Sequence, residues 1–414
     1  MSPPRRSLLT LVHLISAEVQ PNILPILAFR PTRVIQMYSN ASFRDTADQI
    51  RTAVQRLWGG LVAEAHANDP PEFLDPVLAP IGGASPVAVA RLIERILATT
   101  APHGPVLINY TAGTKNMSIG AWLTAQALGL PSVYCDTPRG FLSGDTGILL
   151  PHETLQELAL RLHPTDILGM EGKWEGQHYH CRRLRSPLTD FYTEAARLMT
   201  HHGAAVQAFR TAWGRWTHYS GSHPASADFQ RVQHEPFQPP DPAPFTALFR
   251  WAQQLGWIAG SPQGWQIAFP ASHDKSHHFK SVAASLNGGF WEGTVESLIA
   301  SGNVFKNWMH SVQPIGASEV AGFGETDFLA YSPARLSLCL ISCKTTPPKL
   351  EHYESILTRS RDFGGKFSRP LLCLHGPGSH RPEHIKSRLK IMQIDGAFFP
   401  DLPHLFGVPS SSDL

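Results

Sequence analysis

The feature that most constrains the fold is a repeated order of apolar strand-like runs and amphipathic helical segments in the N-terminal part. The clearest runs predict strands at residues 8–15, 33–38, 106–109 and 131–135, with helical spacing of apolar residues between most of them. A strand that is joined to the next strand by a helix usually returns parallel to it. The order therefore predicts an α/β fold with a mainly parallel, doubly wound sheet.

One turn in this predicted sheet carries groups that attract anions. Residues 109–117 read Asn-Tyr-Thr-Ala-Gly-Thr-Lys-Asn-Met, where a strand ends and a helix begins. Gly113 permits a tight turn, Thr114 suits the helix cap, and free amides at a helix start favour negative charge. The loop from Ser16 to Asn22 is expected at the same sheet edge. The alternative is a tight turn without a ligand, since the spacing of a Walker loop is absent.

Three charged residues of the C-terminal half lie at predicted helix and strand ends. Glu292 opens a helix, Asp327 begins an alternating strand, and Lys344 ends the apolar strand that starts at residue 336. Two carboxylates can hold a divalent cation through oxygen, and a lysine can stabilise charge on a phosphoryl group. The pattern indicates the parts needed to cut phosphodiesters. The alternative is that Asp327 and Lys344 only flank core strands on the solvated side.

The two motifs together resemble a known family. The order of helix Glu, strand Asp and strand Lys resembles the PD-(D/E)XK nuclease core, and the turn at residues 109–117 resembles the CARF domain of CRISPR ancillary effectors. The chain is thus similar to the CARF-fused nucleases of type III CRISPR systems. The resemblance implies an N-terminal Rossmann-like CARF domain and a C-terminal restriction-endonuclease-like α/β domain. The predicted parts are a sensor at 1–165, a connecting segment at 166–244, a small winged-helix-like unit at 245–280 and a nuclease-like domain at 281–414.

The resemblance also implies roles for particular residues of the nuclease-like domain. The catalytic candidates are Glu292, Asp327, Ser342 and Lys344, and the metal candidates are Glu292, Asp327 and Glu325. Ser342 stands where the family pattern has Glu, and a hydroxyl is a poorer ligand than a carboxylate. Either the metal binds more weakly, or a neighbour such as Glu325 or Glu354 supplies the missing charge, or this chain has lost its cutting activity.

For the sensor, the resemblance implies a homodimer that binds a cyclic oligoadenylate, most often cyclic tetra-adenylate. The ligand-binding candidates are Ser16, Ala17, Gln20, Asn22, Thr111, Gly113, Thr114, Lys115 and Met117. Binding would activate a cytoplasmic nuclease, dependent on Mn2+ or Mg2+, that cuts RNA, single-stranded DNA or nicked duplex. The alternatives are a ligand-controlled regulator without catalysis and a ring nuclease that degrades the cyclic ligand. A twofold dimer suits a cyclic ligand because it presents the same turn to each half of the ring.

Composition limits the kinds of ligand site, metal site and cellular compartment that fit this chain. The net charge of +2 gives no overall basic field, so an acidic ligand must be held by local groups. The five cysteines include no Cys-x-x-Cys pair, which favours reduced core thiols and a cytosolic protein. Zinc bound near His178 or His273 is disfavoured, because chance clusters are expected among 21 histidines. No apolar run approaches the ~18 residues of a membrane helix.

The helix and hairpin at residues 245–269 contact nucleic acid or, as we favour, brace the nuclease.

Overall fold

A computed structural model gives the structure of the chain at the following residues: 8–62, 69–75, 85–100, 102, 104–137, 140–145, 149, 151–171, 179–182, 188–217, 232, 234–261, 264–269, 275–301, 305, 307–314, 326–333, 336–344, 349–364, 368–374 and 392–395. These residues form two six-stranded sheets, a two-stranded hairpin and the helices that cover them. Within this part of the chain, no helix combines the length and the apolar composition needed to cross a membrane.

The N-terminal unit is built on the first sheet. Its strands are β1 (Thr10–Leu14), β2 (Arg33–Met37), β3 (Glu72–Leu74), β4 (Val106–Asn109), β5 (Ser132–Asp136) and β6 (Phe141–Ser143). They lie in the order β3-β2-β1-β4-β5-β6, and all neighbours are parallel except β5 and β6. The predicted parallel sheet with interleaved helices is confirmed, and its strand order is Rossmann-like.

Helices cover both faces of the first sheet; α1 is buried on all sides, and the other helices bury apolar residues against the sheet. They are α1 (Gln20–Phe29), α2 (Arg44–Leu61), α3 (Pro86–Thr100), α4 (Lys115–Leu128), α5 (Leu155–Arg161) and α6 (Pro164–Met170). One apolar core lies beneath α3 and α4. The other four helices cover a second, separate core. The α5 and α6 helices are separate although only two residues lie between them. His163 and Asp166 form a capping box, and Pro164 begins α6, so the chain starts a new helix there.

An aromatic helical bundle follows the N-terminal unit. It contains α7 (Leu188–His201), α8 (Gly203–Thr217), α9 (Thr246–Gln254) and the hairpin of β8 (Ile258–Ser261) and β9 (Gly264–Ile267). The N-terminal half of α10 (Lys275–Ser301) packs against α7 and α8. The α7 and α8 helices are separated only by His202. The hairpin expected after α9 is present.

The second sheet is mixed. Its strands are β7 (Tyr179–Arg182), β10 (Asn307–Pro314), β11 (Thr326–Ser332), β12 (Ser337–Lys344), β13 (Ser368–Leu374) and β14 (Met392–Asp395). Their order is β14-β13-β12-β11-β10-β7, with antiparallel pairing from β7 to β12 and parallel pairing from β12 to β14. The connecting segment therefore contributes an edge strand, β7, to this sheet. The helix α11 (Leu350–Gly364) joins β12 to β13.

The prediction that a helix begins at Glu292 is wrong. Glu292 lies in the second half of α10. The upstream residues Phe279, Val282 and Leu286 are fully buried and continue the helix into the bundle. The glycines before and after Glu292 permit close approach of α7. An added Cβ at Gly293 would lie 2.5 Å from the backbone oxygen of Tyr192. Close helix packing, rather than a helix start, explains this glycine-rich stretch.

The two sheets share one apolar core. Leu162, Ile167 and other residues of the N-terminal unit belong to the same buried cluster as Leu329 and Leu340 of the second sheet. The Asn307 side-chain amide donates a hydrogen bond to the Leu162 carbonyl oxygen over 3.0 Å. The opposite face of the second sheet packs on α10 through residues such as Trp291 and Val295. The N-terminal unit and the second sheet are therefore directly connected.

Candidate functional site

The first candidate site lies at the carboxyl edge of the N-terminal sheet. The chain leaves β1 toward β2 and β3 on one side, then crosses over to β4 and β5 on the other. A crevice forms at such a reversal because the two neighbouring loops turn away from each other. His13 of β1 lies beside Asn109 of β4, so the loops that follow these residues meet at this edge.

Asn109 organises this edge through a buried set of hydrogen bonds. Its Nδ2 donates to the Pro21 carbonyl oxygen over 3.0 Å and lies 3.0 Å from His13 Nδ1. Its Oδ1 accepts from the Thr111 amide over 3.0 Å and from the Thr111 hydroxyl over 2.5 Å. Asn109 was not among the predicted site residues. The signal that points to it is its position as a polar residue at the end of a buried strand.

The predicted residues of the 109–117 turn divide into structural and accessible positions. The Thr111 hydroxyl accepts from the Cys135 amide over 2.7 Å and so braces β4 against β5. The Thr114 hydroxyl accepts from the Met117 amide over 3.3 Å and caps α4, while Met117 itself is fully buried. Thr114 and Lys115 are exposed at the start of α4. These two residues, together with the helix start, are the groups that a ligand at this edge can reach.

The predicted residues of the first loop show the same division. Ser16 is half-buried and Ala17 is exposed, and the Ser16 hydroxyl accepts from the Glu18 amide over 3.3 Å. Gln20 and Asn22 are fully buried in α1. The Gln20 amide donates to Glu171 over 3.2 Å, and the Asn22 amide donates to the Glu18 carbonyl oxygen over 3.3 Å. Gln20 and Asn22 therefore support the loop from its buried side and have no exposed surface for a ligand.

Two aromatic residues beside the turn were missed by sequence reasoning. The rings of Tyr110 and Tyr134 lie 5.8 Å apart, and Tyr134 is 39 % exposed. Burial raises the pKa of the Tyr110 hydroxyl, with a smaller contribution from Tyr134. Exposed aromatic faces near a cationic group can stack on nucleobases. Tyr110 belongs to the turn itself, and the position of Tyr134 on β5 gave no sign that its ring would lie beside that of Tyr110.

Gly113 provides a test of how the turn is built. Its φ of +85° is in the left-handed region, and an added Cβ would lie 3.1 Å from Leu14 Cβ and 3.2 Å from Met117 Cβ. We expect Gly113→Ala to lower the free energy of unfolding by about 2–3 kcal/mol, from backbone strain and crowding together. Gly129→Ala is the matched control, because Gly129 has φ +61° and no atom near an added Cβ. Gly129→Ala should lower the free energy of unfolding by about 1 kcal/mol. Urea denaturation measures both, and equal losses would refute the crowding argument.

Burial of His13 makes the stability of this unit dependent on pH. Burial lowers the pKa of His13 to about 3, and the nearby Asn22 side chain offsets part of this shift. The unfolded chain takes up a proton as the pH falls below about 6.5, whereas the folded chain does not. Stability is therefore fully present above this value and falls as the pH drops toward the folded-state pKa.

We expect the free energy of unfolding of the wild type to fall between pH 7.5 and 5.5 by about 1.4 kcal/mol more than that of His13→Gln. Urea denaturation at the two pH values measures this difference. His201→Gln is the control, since His201 is exposed at the end of α7. An equal pH dependence in the wild type and His13→Gln would contradict the assignment.

The second candidate site lies where β11 and β12 separate. Their antiparallel ladder ends at the pair Phe328 and Ile341, and a continued ladder would pair Cys343 with Thr326. Instead, the Cys343 amide donates to Asp327 Oδ2 over 2.5 Å, and the Ser342 hydroxyl donates to the same oxygen over 3.2 Å. The Asp327 carboxylate thus takes the place of a strand-to-strand bond. Because side chains alternate along a strand, Ser342 and Lys344 share one face of β12.

Glu292 approaches this region from α10. Its Oε2 accepts from the Tyr192 hydroxyl over 3.4 Å and lies 3.5 Å from His310 Nε2. The His310 side chain is 1 % exposed, and its ring lies 5.0 Å from that of Tyr192 and 4.8 Å from that of Phe328. Sequence reasoning missed Tyr192 and His310, because they come from the bundle and from β10. The Tyr192 hydroxyl is the hydrogen-bond donor to the Glu292 carboxylate, and the His310 ring lies beside it.

Both carboxylates act on the same thiol. Burial raises the pKa of the Cys343 thiol, and the neighbours that add to this shift include Asp327 and Glu292. The predicted helix acid and strand acid therefore lie within electrostatic reach of one residue at the end of β12. Lys344 follows directly, is half-buried, and contributes to lowering the pKa of His352 on α11, after the effect of burial. The hydrogen bonds thus bring Asp327, Ser342 and Cys343 together at the end of β12, with Lys344 next along the strand, while Glu292 lies beside Tyr192 and His310.

The donors in this region suit a hard divalent cation. Carboxylate and hydroxyl oxygens are the ligands that Mg2+ and Mn2+ prefer. Within the residues that the structure covers, no group of three His, Cys, Asp or Glu side chains is arranged to hold a metal ion. The third predicted metal ligand, Glu325, lies outside the described residues, as do His178 and His273. Glu354 is exposed on α11. Asp327 and Glu292 are the described carboxylates to which a metal proposal applies.

Comparison with known proteins shows the fold. The sequence matches no protein-family model, and no curated protein is significantly similar to it. The structure resembles that of protein VC1899 from Vibrio cholerae, with a TM-score of 0.66 and 14% identity over 97% of each chain. It also resembles Can2 from Sulfobacillus thermosulfidooxidans in complex with cyclic tetra-adenylate. For Can2 the TM-score is 0.59 and the identity 17%, covering 97% of this chain and 100% of Can2. The fold shared with these proteins therefore extends over nearly the whole chain.

Proposed function

We propose that this chain is a nuclease activated by a cyclic oligoadenylate in type III CRISPR defence. The observation that carries the proposal is the Asp327 carboxylate at the point where β11 and β12 separate, which accepts from the Cys343 amide and the Ser342 hydroxyl, with Lys344 at the end of the same strand. The fold shared with Can2, a protein solved with cyclic tetra-adenylate, supports the ligand class. The PD-(D/E)XK assignment of the second sheet belongs to the same proposal and rests on the order and placement of these residues.

The sensor step uses the carboxyl edge of the first sheet. The α4 start and the exposed Lys115 supply positive potential for ligand phosphates. Ile119 and Trp122, on the next turns of α4, are 47% and 44% exposed. An exposed apolar strip beside the ligand edge suits a second copy of the chain, so we propose a homodimer with one ligand half on each copy. Two copies of Lys115 would then face one ring.

The cutting step uses the end of β12. Asp327 and Glu292 would hold Mn2+ or Mg2+, which when bound lowers the pKa of a coordinated water and polarises the phosphodiester. Lys344 stabilises negative charge on the phosphoryl oxygens. The Tyr192 hydroxyl and His310 orient Glu292, while the Cys343 amide and the Ser342 hydroxyl orient Asp327. These contacts fix both carboxylates before any substrate binds.

Signal transfer between the two sites follows the shared core. The α6 helix contacts β10 and β11, and the residues that join the sheets form one buried cluster. Closely packed contacts favour discrete rearrangements over gradual deformation. A ligand that prefers one dimer arrangement would shift the second sheet through this contact.

The direct test incubates the purified chain with labelled single-stranded DNA and RNA, with Mn2+, with and without cyclic tetra-adenylate. We expect cutting that requires both the metal and the ligand. Asp327→Asn should lower the rate at least about a hundredfold, because a carboxylate ligand and its charge are lost. Asp48→Asn is the matched control, since Asp48 is exposed on α2. Chromatography of the ligand in the same reactions distinguishes its degradation from activation, and no ligand-dependent cutting with any metal would refute the proposal.

A second candidate function is a ligand-controlled regulator without catalysis. The observation that favours it is Ser342, whose hydroxyl donates to Asp327 where a carboxylate ligand is expected. Such a regulator would bind the ligand tightly and would change its affinity for nucleic acid without cutting it. Metal binding, measured by calorimetry, separates this function from a working nuclease.

Ser342→Glu tests how far this position limits activity. A carboxylate beside Asp327 adds a ligand for the metal, so we expect tighter Mn2+ binding and faster cutting, each by about tenfold or more. Without metal, two adjacent carboxylates repel, and the free energy of unfolding should fall by about 1 kcal/mol. Ser342→Ala is the control, because it removes the bond to Asp327 without adding charge. Unchanged metal affinity in Ser342→Glu would show that another carboxylate already serves.

A further inference from the structure

The first loop of the sensor edge is bonded directly to the end of α6. Gln20, the first residue of α1, is fully buried, and its Nε2 atom donates to Glu171 Oε1 over 3.2 Å. Glu171 directly follows the last residue of α6. One hydrogen bond thus joins the loop at residues 16–22 to a segment that lies about 150 positions later in the chain.

The α6 helix is packed against the second sheet. It contacts β10, β11 and the α11 helix. Ile167 and Met170 of α6 belong to the same buried cluster as Leu329, which lies two residues after Asp327 on β11. Closely packed groups move together because their contacts leave little free space. A displacement of Glu171 therefore reaches the strand that carries Asp327.

Three buried polar atoms near the start of α1 lack hydrogen-bond partners among the residues that the structure describes. They are Gln20 Oε1, Asn22 Oδ1 and His13 Nε2, and all three side chains are fully buried. A buried donor or acceptor without a partner costs free energy. A second arrangement of the first turn of α1 that pairs some of these atoms would recover that free energy.

Two of these atoms are complementary. Asn109 Oδ1 accepts from the Thr111 amide, which orients Asn109 Nδ2 as a donor toward His13 Nδ1. Because burial keeps His13 neutral, its ring proton is then on Nε2, which is a donor. Asn22 Oδ1 is an acceptor, and the Asn22 side chain lies near the His13 ring. A rotation of Asn22 toward His13 would pair both atoms.

From these contacts we propose that Gln20 is a positioning residue, which transmits ligand binding through Glu171 to α6 and the second sheet. The inference deepens the proposed function, on which it rests, by assigning the regulation of the second site to one hydrogen bond. Gln20 acts through this bond and does not contact the ligand. A ligand that prefers one arrangement of the first turn of α1 shifts the population toward that arrangement.

The two arrangements differ in the partner of Asn22. In the observed arrangement, the Asn22 amide donates to the Glu18 carbonyl oxygen over 3.3 Å. In the second arrangement, Asn22 Oδ1 accepts from His13 Nε2. A ligand that binds the partly exposed loop at residues 16–18 displaces Glu18 and releases Asn22. Gln20 moves as well, because it lies in the same turn.

Measuring ligand affinity separately from its effect tests this coupling. Calorimetry with cyclic tetra-adenylate gives the affinity, and the ligand-induced change in hydrogen–deuterium exchange of α6 and β11 gives the response. In Gln20→Leu the response should fall about tenfold, within the usual range of coupling between two sites. The variant should bind the ligand at least as tightly as the wild type, because the ligand no longer has to move the second sheet. Glu171→Leu breaks the same bond from its other end and should behave alike.

Two further variants are the controls. Gln49 of α2 donates to the Met170 carbonyl oxygen over 2.6 Å and so holds the same end of α6, but it lies outside the ligand loop. Gln49→Leu should therefore keep a response within about twofold of the wild type. Glu171→Gln retains an acceptor oxygen for Gln20 and should also keep the response.

Three results would overturn the coupling. They are an unchanged response in Gln20→Leu, equal losses of response in Gln20→Leu and Gln49→Leu, and weaker ligand binding by Gln20→Leu, which would make Gln20 a ligand contact. Failure of the proposed function is distinguishable from these results. A wild type that binds the ligand and shows the response without cutting nucleic acid contradicts the nuclease alone.

Discussion

The hydrogen bond from the Cys343 amide to the Asp327 carboxylate is the contact on which the second site depends. It ends the β11–β12 ladder after Phe328 and Ile341, so the carboxylate lies between the separating strands. Beyond this point β12 continues to pair with β13 as far as Lys344. The end of β12 is therefore no longer paired with β11, whereas it remains paired with β13. Functional groups on such an end are accessible and yet well positioned.

The two candidate sites are joined by packing rather than by a linker. One buried cluster contains residues of β1, α5, α6, β11 and β12, and Asn307 bonds the carbonyl oxygen of Leu162. The bundle adds a second support, because Tyr192 reaches Glu292 across the close contact of α7 with α10. A change at the sensor edge thus has a continuous route of packed residues to the second sheet.

Local patterns predicted the first sheet, because each of its strands and helices is short and has a clear apolar face. They also predicted Asp327 and Lys344 at strand ends and Thr114 as a helix cap. The local patterns gave wrong or missing predictions where contacts between distant segments determine the structure. Glu292 lies within a long helix whose glycines admit α7, and no local signal distinguishes that from a helix start. Tyr192, His310, Asn109 and Tyr134 contribute to the sites only through tertiary contacts, which spacing in one sequence does not encode.

We propose that Asp327 and Glu292 form one metal site at the end of β12. Calorimetric titration of the purified chain with Mn2+ tests it most directly, alongside Asp327→Asn, Glu292→Gln and Tyr192→Phe. The account predicts that either carboxylate variant loses Mn2+ binding, while Tyr192→Phe binds several-fold more weakly because Glu292 is less well held. Mn2+ binding that is unchanged by loss of either carboxylate would contradict the account.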